Sequence, residues 1–207
     1  MTLLKELRYS LYTLTHPFDG FYDLKHEKKG SMRAAIILYL LTGISAVIKS
    51  QFTEYEFTGG AESMHPLLDM LLAVGPYLLW AVSNWCFSSL MDGEGTMKDI
   101  LCVTGYAMPP LIVSNLVYTV ASWILTSNEG NYMQLISTIG LLWTLLLVFL
   151  GMLTIQQYSL GKSILTALLT IVGMAIILFL AVMLFYLVQQ VYMFVINCVV
   201  ELQLRAH

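Results

Sequence analysis

Charged side chains divide the 207-residue chain into five long uncharged stretches. The stretches contain 15, 22, 29, 32 and 38 residues. Their limits are the charged pairs Arg33 and Lys49, Asp69 and Asp92, Asp99 and Glu129, Glu129 and Lys162, and Lys162 and Glu201. Because about 20 apolar residues in a helix cross the hydrocarbon core of a bilayer, the pattern predicts an all-α integral membrane protein with five transmembrane helices.

The third predicted span contains two consecutive prolines. The first four spans are expected at residues 32–48, 67–91, 100–126 and 132–156, and the fifth begins near Ser163. Pro109 and Pro110 remove two backbone donors inside the third span, so this helix is expected to kink or partly unwind. Since lipid cannot satisfy the carbonyls that are freed, the break must face other helices, polar side chains or water.

The fifth uncharged stretch is longer than a bilayer crossing requires. A continuous helix over residues 163–200 would be about 57 Å long, whereas the hydrocarbon core is about 30 Å thick. The crossing is therefore expected to end near Gln189 and Gln190. Residues 191–200 would then lie along the outer leaflet, pack back on the bundle or contact a partner, since ten residues cannot form a sixth crossing.

Polar residues at the ends of the spans have structural explanations. Arg33 and Lys49 are expected to extend toward opposite interfaces from a short first span. Asp69 falls in the first turn of the second span, where a carboxylate complements the helix dipole, and this explanation is preferred to a role in transport. Thr96 and Asp99 have the spacing of a capping box at the start of the third span.

The N-terminal segment is predicted to form an amphipathic helix at the membrane interface. Apolar residues recur there at helical spacing, at positions Leu3, Leu4, Leu7, Leu11 and Leu14. Pro17 is expected to end this helix. The segment either anchors the first span or binds a cytosolic partner. The expected division is a cytosolic segment 1–31, a five-helix domain 32–190 and an apolar C-terminal extension 191–207.

Composition and charge support this assignment and give it an orientation. Hydrophobic residues make up 58% of the chain and charged residues 11%, which is far too apolar for a soluble domain. Six of the ten Lys and Arg residues lie in the first 33 positions. With the N-terminus inside, the inner segments hold eight basic residues and the outer segments two. The positive-inside rule therefore predicts a cytoplasmic N-terminus and a C-terminus outside.

Polar and aromatic residues inside the spans are the candidates for a functional site. Asn84 in the second span and Asn115 in the third are placed to hydrogen-bond across that helix pair, and Trp80, Trp85 and Tyr106 add polar groups on large rings. Two interpretations are open for this set. It either holds the helices together, which is the commoner use of neutral asparagine in membranes, or it contacts a substrate.

No catalytic or metal-binding pattern occurs in the sequence. Motifs of the HExxH and GxSxG type are absent, the spans contain no charged side chain in their interiors, and the three cysteines form no CxxC pair. Asp92 and Glu94 share a tight inner turn, which offers too few oxygens for calcium. Gly93 and Gly95 in that turn are expected to adopt the left-handed conformation. The sequence thus predicts no enzyme, no cofactor and no nucleic-acid partner, and it identifies no small-molecule substrate.

The region from the second to the third predicted span resembles the signature region of the Yip family, multi-span proteins named for interaction with Ypt/Rab GTPases. The resemblance rests on a tryptophan-rich helix, a D-G-x-G turn with a following lysine and aspartate, and a Tyr-Ala-hydrophobic-Pro break, at Trp80, Trp85, Asp92, Gly93, Gly95, Lys98, Asp99, Tyr106, Ala107 and Pro109. A later joint containing Tyr158, Ser159 and Lys162 is similar to the family as well. The resemblance covers about residues 16–190 and implies a five-span fold.

The chain departs from the eukaryotic members of that family in its N-terminal region. It lacks their Asp-Leu-Tyr-Gly-Pro type of motif before the first span, and its compact form resembles the bacterial branch. The resemblance then implies a plasma-membrane location and removes the Rab partner. The expected function is a non-catalytic scaffold or accessory protein in the lipid bilayer that binds other membrane proteins or itself. The alternative is a small channel or transporter with a hydrated path at the broken third span.

Overall fold

The computed structural model describes residues 3–27, 30–53, 65–125 and 129–205, and these residues form helices joined by short turns. No strand occurs in these ranges. The helices are α1 (Leu3–Thr15), α2 (Pro17–His26), α3 (Met32–Phe52), α4 (Pro66–Leu90), α5 (Met97–Tyr106), α6 (Pro109–Ser122), α7 (Gly130–Gln156) and α8 (Leu160–Arg205). Five segments are long and apolar enough to cross a membrane: Met32–Phe52, Pro66–Leu90, Met97–Ser122, Gly130–Gln156 and Leu160–Asn197. The predicted all-α fold with five spans is confirmed.

The third span consists of two helices, as the double proline predicts. α5 ends at Tyr106 and α6 begins at Pro109, with only Ala107 and Met108 between them. The two prolines occupy the first positions of α6, where the N–H groups that proline lacks would have no acceptor within the helix. Thr96 and Asp99 form the predicted capping box at the start of α5.

α3 lies at the centre of the bundle and contacts α4, α5 and α6, while α7 packs on α6 and α8 packs on α4. The approach of α3 to α5 is close. A Cβ atom on Gly105 would lie 3.0 Å from the Ala35 Cβ and 3.1 Å from its Cα, so only glycine fits there without moving the backbone. The largest fully buried side chains on this side of the bundle include Tyr106 and Ile100. The two halves of the broken span therefore lie in the core.

The N-terminal segment forms a helical hairpin that packs on the bundle. α1 is amphipathic, as predicted, and it uses Leu7 and Leu14 to pack against the core. The sequence did not indicate α2, whose Phe21 is fully buried and would lie 3.3 Å from a Cβ atom on Gly151 of α7. Leu11 on α1 is exposed. This hairpin thus belongs to the folded core, and only part of its apolar surface is available to lipid or to a partner.

α8 continues well beyond the bundle. It is helical from Leu160 to Arg205 without an interruption at Gln189 and Gln190, so the segment after Gln190 does not pack back on the bundle, one of the three arrangements expected for it. The physical reason is local: no proline or glycine follows Gly173, so nothing in the sequence ends the helix. Every residue from 178 to 197 is exposed.

Candidate functional site

The predicted inner turn and the joint between α7 and α8 pack against each other at one end of the bundle. A Cβ atom on Gly93 would lie 2.3 Å from Gln156 Oε1, and one on Gly95 would lie 2.7 Å from Ile155 Cγ2. The expectation of left-handed glycines is wrong, because the residue with positive φ in this turn is Asp92, at 55°. The glycines are explained by the lack of space for a side chain.

Hydrogen bonds join the turn to the joint. The backbone N–H of Gly95 donates to Gln156 Oε1 at 3.0 Å. The Tyr158 hydroxyl donates to the Ser88 carbonyl at 3.3 Å and to the Met91 carbonyl at 3.1 Å, where α4 ends. Burial and the nearby charge of Asp92 raise the pKa of Tyr158. The two family-like segments therefore form one polar junction.

Lys25 of α2 connects the N-terminal hairpin to the same junction. Its ammonium donates to Glu94 Oε2 at 2.9 Å and to the Ile155 carbonyl at 2.8 Å. The hydrogen bond from Lys25 and its positive charge hold the pKa of Glu94 below its ordinary value. Lys98, also predicted as part of the turn, is exposed at the surface. Three segments that five crossings would place on one side of the membrane thus meet at one end of the molecule.

The proline break faces the hairpin. Pro110 has no N–H to donate to the Tyr106 carbonyl, and the buried Thr13 hydroxyl of α1 lies 3.4 Å from that oxygen. The Thr13 hydroxyl also donates to the Ser10 carbonyl at 2.7 Å. The Tyr106 hydroxyl accepts from the Ser31 N–H at 3.3 Å. A protein side chain is thus the partner that the freed carbonyl was predicted to require, although nothing in the sequence indicated that this side chain is Thr13.

Both predicted asparagines form bonds between helices, but not across the second and third spans. Asn84 Nδ2 donates to Thr170 Oγ1 of α8 at 3.2 Å, and Asn115 Nδ2 donates to Ser45 Oγ of α3 at 3.1 Å. Trp85 is 43% exposed and does not join the buried set. The candidate residues are therefore distributed over several helix contacts.

Trp80 and Asn84 do share one small polar cavity. Four buried polar atoms without a hydrogen-bond partner in the described structure belong to residues that line it: Trp80 Nε1, Asn84 Oδ1, Gln156 Nε2 and Ser163 Oγ. The cavity has a volume of about 10 Å³, which is close to the space one water molecule needs. It connects the polar junction to the centre of the bundle.

A much larger cavity, of about 740 Å³, lies between the five spans. Each span contributes to its wall, which is mainly apolar and includes Trp80, Leu111 and Asn115. Lys49 also lines the cavity, and its ammonium donates to Ser137 Oγ at 3.0 Å and lies 4.1 Å from the centre of the Tyr118 ring. The sequence predicted that Lys49 extends toward the interface, and it did not indicate these two contacts, which Ser137 of α7 and Tyr118 of α6 supply.

The geometry defines a class of protein: a five-span helical membrane protein with a polar junction at one end, a broken third span and a large intramembrane cavity. The model of the Yip1 domain family matches residues 11–183. The chain belongs to the Yip1 domain family, which confirms the resemblance. No curated protein and no solved structure matches the chain. The family match ends before the last part of the exposed region of α8.

Proposed function

We propose that this protein is a non-catalytic scaffold that binds another membrane protein through the exposed part of α8. The observation that supports the proposal is that residues 178–197 are uncharged and exposed on all faces of the helix. A helix that is apolar on every side is stable only when lipid or protein surrounds it. The other four spans already form the bundle without this part of α8.

The length of α8 favours protein over lipid as part of that cover. The span Leu160–Asn197 has 38 residues and a length of about 57 Å, whereas a bilayer with its headgroups is about 40–45 Å thick. Lipid alone can enclose such a helix only at a tilt near 40°, the upper end of the range that transmembrane helices show. A partner protein covers the same residues without so large a tilt.

Site-specific photocrosslinking tests this proposal. A crosslinking side chain at Leu187 or Val191 is expected to give one defined protein adduct in native membranes, whereas the same group at Leu142, an exposed residue of α7, gives lipid adducts only. Adducts of the protein with itself would identify a second copy as the partner. Lipid adducts alone at all three positions would contradict the scaffold function.

The second candidate is a channel or transporter, and the observation that favours it is the 740 Å³ cavity bounded by all five spans. Ala107 and Met108 at the proline break are fully buried and do not line that cavity, which is why we place this function second. Flux measurements in proteoliposomes separate the candidates, since a scaffold gives no flux above that of empty vesicles.

The proposal includes a location and an orientation. We place the protein in the plasma membrane, with the polar junction and the N-terminal hairpin on the cytoplasmic side. The basic residues Lys25, Lys98 and Lys162 support this orientation, because all lie in or next to the segments at that end. The exposed rings of Phe18 and Tyr22 on α2 suit the cytoplasmic interface.

A further inference from the structure

The large cavity has the shape of a site that opens sideways into one leaflet of the bilayer. Its lining residues on α7 extend from Ser137 to Phe149, a distance of about 18 Å, which is little more than half of the hydrocarbon core. Trp80 and Phe149 also line the small polar cavity, which lies on the side toward the junction. The large cavity therefore reaches from one end of the bundle to its middle and does not cross it.

The wall is open to lipid between α7 and the α4–α8 pair. Leu145 of α7, Leu72 of α4 and Ile171 of α8 all line the cavity and are each about half exposed, at 49%, 61% and 56%. α8 contributes only Ile171 and Met174 to the wall, and beyond residue 177 every described side chain is exposed. An acyl chain of the surrounding bilayer can thus enter from the side, with no need for an aqueous entrance.

The end of the cavity near Lys49 lies at the level of the lipid headgroups. Lys49 is three residues from the end of α3 at Phe52, so it lies about 5 Å from the helix end. The indole N–H of Trp123 donates to the Phe52 carbonyl at 2.8 Å, and the ring is 71% exposed. Tryptophan in such a position is typical of the membrane interface.

Among the described residues that line the cavity, Lys49 is the only charged one. In the part of the chain that the structure describes, no carboxylate lies within ion-pair distance of its ammonium. Asp69, at the same end of the bundle, accepts a hydrogen bond from Ser50 instead. A cation held beside an apolar cavity favours a ligand that combines an apolar chain with a negative charge.

We propose that this cavity binds one phospholipid with a net negative headgroup, with an acyl chain between the spans and the headgroup at Lys49. Tyr118 and Ser137, which line the same part of the cavity, add hydroxyl groups for the phosphate oxygens. In a zwitterionic lipid the cation of the headgroup offsets the phosphate charge, so the attraction between the headgroup and the Lys49 ammonium is weaker. The site is independent of the scaffold function, because residues 178–197 do not line it.

Native mass spectrometry of the detergent-solubilised protein tests the proposal. The probes are phosphatidylglycerol and phosphatidylcholine with identical acyl chains, added in equal amounts. We expect the protein to retain one phosphatidylglycerol molecule and to prefer it to phosphatidylcholine by about fivefold. This factor is the contribution of one lysine near a bilayer surface. Equal retention of the two lipids, or retention of neither, would overturn the proposal.

Two pairs of variants distinguish the contribution of the Lys49 charge from that of the cavity volume. Lys49→Gln is expected to remove the preference, whereas Lys162→Gln keeps it, because Lys162 lies 4.3 Å above the Tyr158 ring but outside the cavity. Leu141→Trp is expected to displace the lipid, whereas Leu142→Trp, at a neighbouring position that does not line the cavity, keeps it. An unchanged preference in Lys49→Gln would refute the role of the ammonium, even if the tryptophan variants fail to fold.

Discussion

At the residue scale, the turn glycines are required by space, and this can be measured. Gly95→Ala places a methyl group 2.7 Å from Ile155 Cγ2 and 3.0 Å from Gln156 Nε2. We expect a loss of about 1–3 kcal/mol in the free energy of unfolding, which is typical of overpacking. The matched control is Gly161→Ala on α8, where a Cβ meets no atom within 4 Å apart from its chain neighbours and the backbone of its own helix, so that the helix gains at most about 1 kcal/mol. Thermal unfolding in mild detergent measures both, and equal changes would contradict the explanation.

The ion pair between Lys25 and Glu94 gives the junction a pH dependence of known sign. Because Lys25 lowers the pKa of Glu94 in the folded state, the pair stabilises the fold above the ordinary glutamate pKa. That contribution is lost as the pH falls through the lowered pKa. Glu94→Gln should therefore reduce the unfolding temperature at about pH 6, and the difference from the wild type should shrink as the pH falls through the lowered pKa.

The size and salt dependence of this effect follow from exposure. The Glu94 side chain is largely exposed, so the difference is expected to be small and to shrink when salt is added. Unfolding curves of both proteins at low and high ionic strength provide the measurement. A difference that persists unchanged at pH 3 would show that Glu94 acts through packing and not through its charge.

At the element scale, the hairpin and the broken span depend on each other. Thr13→Val removes the hydroxyl beside the Tyr106 carbonyl while it keeps the shape of the side chain. We expect a loss of only about 1 kcal/mol in the free energy of unfolding. The loss is small because the Thr13 hydroxyl also donates to the Ser10 carbonyl and therefore interacts only weakly with the Tyr106 carbonyl. Thr15→Val, at an exposed hydroxyl of the same helix, serves as the control.

A double-mutant cycle with Pro110 isolates the interaction. Pro110→Ala restores a backbone N–H that can donate to the Tyr106 carbonyl. The cost of Thr13→Val should then be smaller in the Pro110→Ala background than in the wild type. Equal costs in both backgrounds would mean that Thr13 stabilises the protein without serving the break.

The elements that the sequence predicted are those that depend on local patterns. Five uncharged stretches are enough to predict five spans, and two prolines are enough to predict a break, because lipid and backbone chemistry allow few alternatives. The partners of these elements could not be predicted, since Thr13 and Tyr106 are 93 residues apart. Lys49 illustrates the same limit: its inward position depends on Ser137 and Tyr118, which other spans supply.

At the scale of the whole molecule, both proposals require five crossings with the polar junction on one side of the membrane. The contacts from Lys25 to Glu94 and from Tyr158 to Ser88 bring together three segments of the chain. Two spans separate each of these segments from the next, so all three lie on the same side of the membrane. α8 then has to leave the bundle on the opposite side, which places Glu201 far from the junction. Both the lipid site and the exposed part of α8 depend on this arrangement.

Labelling of single cysteines in oriented membranes tests this claim most directly. In a background without Cys86, Cys102 and Cys198, one cysteine is introduced at Lys98, Gln157, Thr53 or Glu201, and the membranes are treated with a thiol reagent that does not cross them. We expect positions 98 and 157 to react only from the cytoplasmic side, and positions 53 and 201 only from the other side. Reaction of positions 157 and 201 from the same side would contradict it.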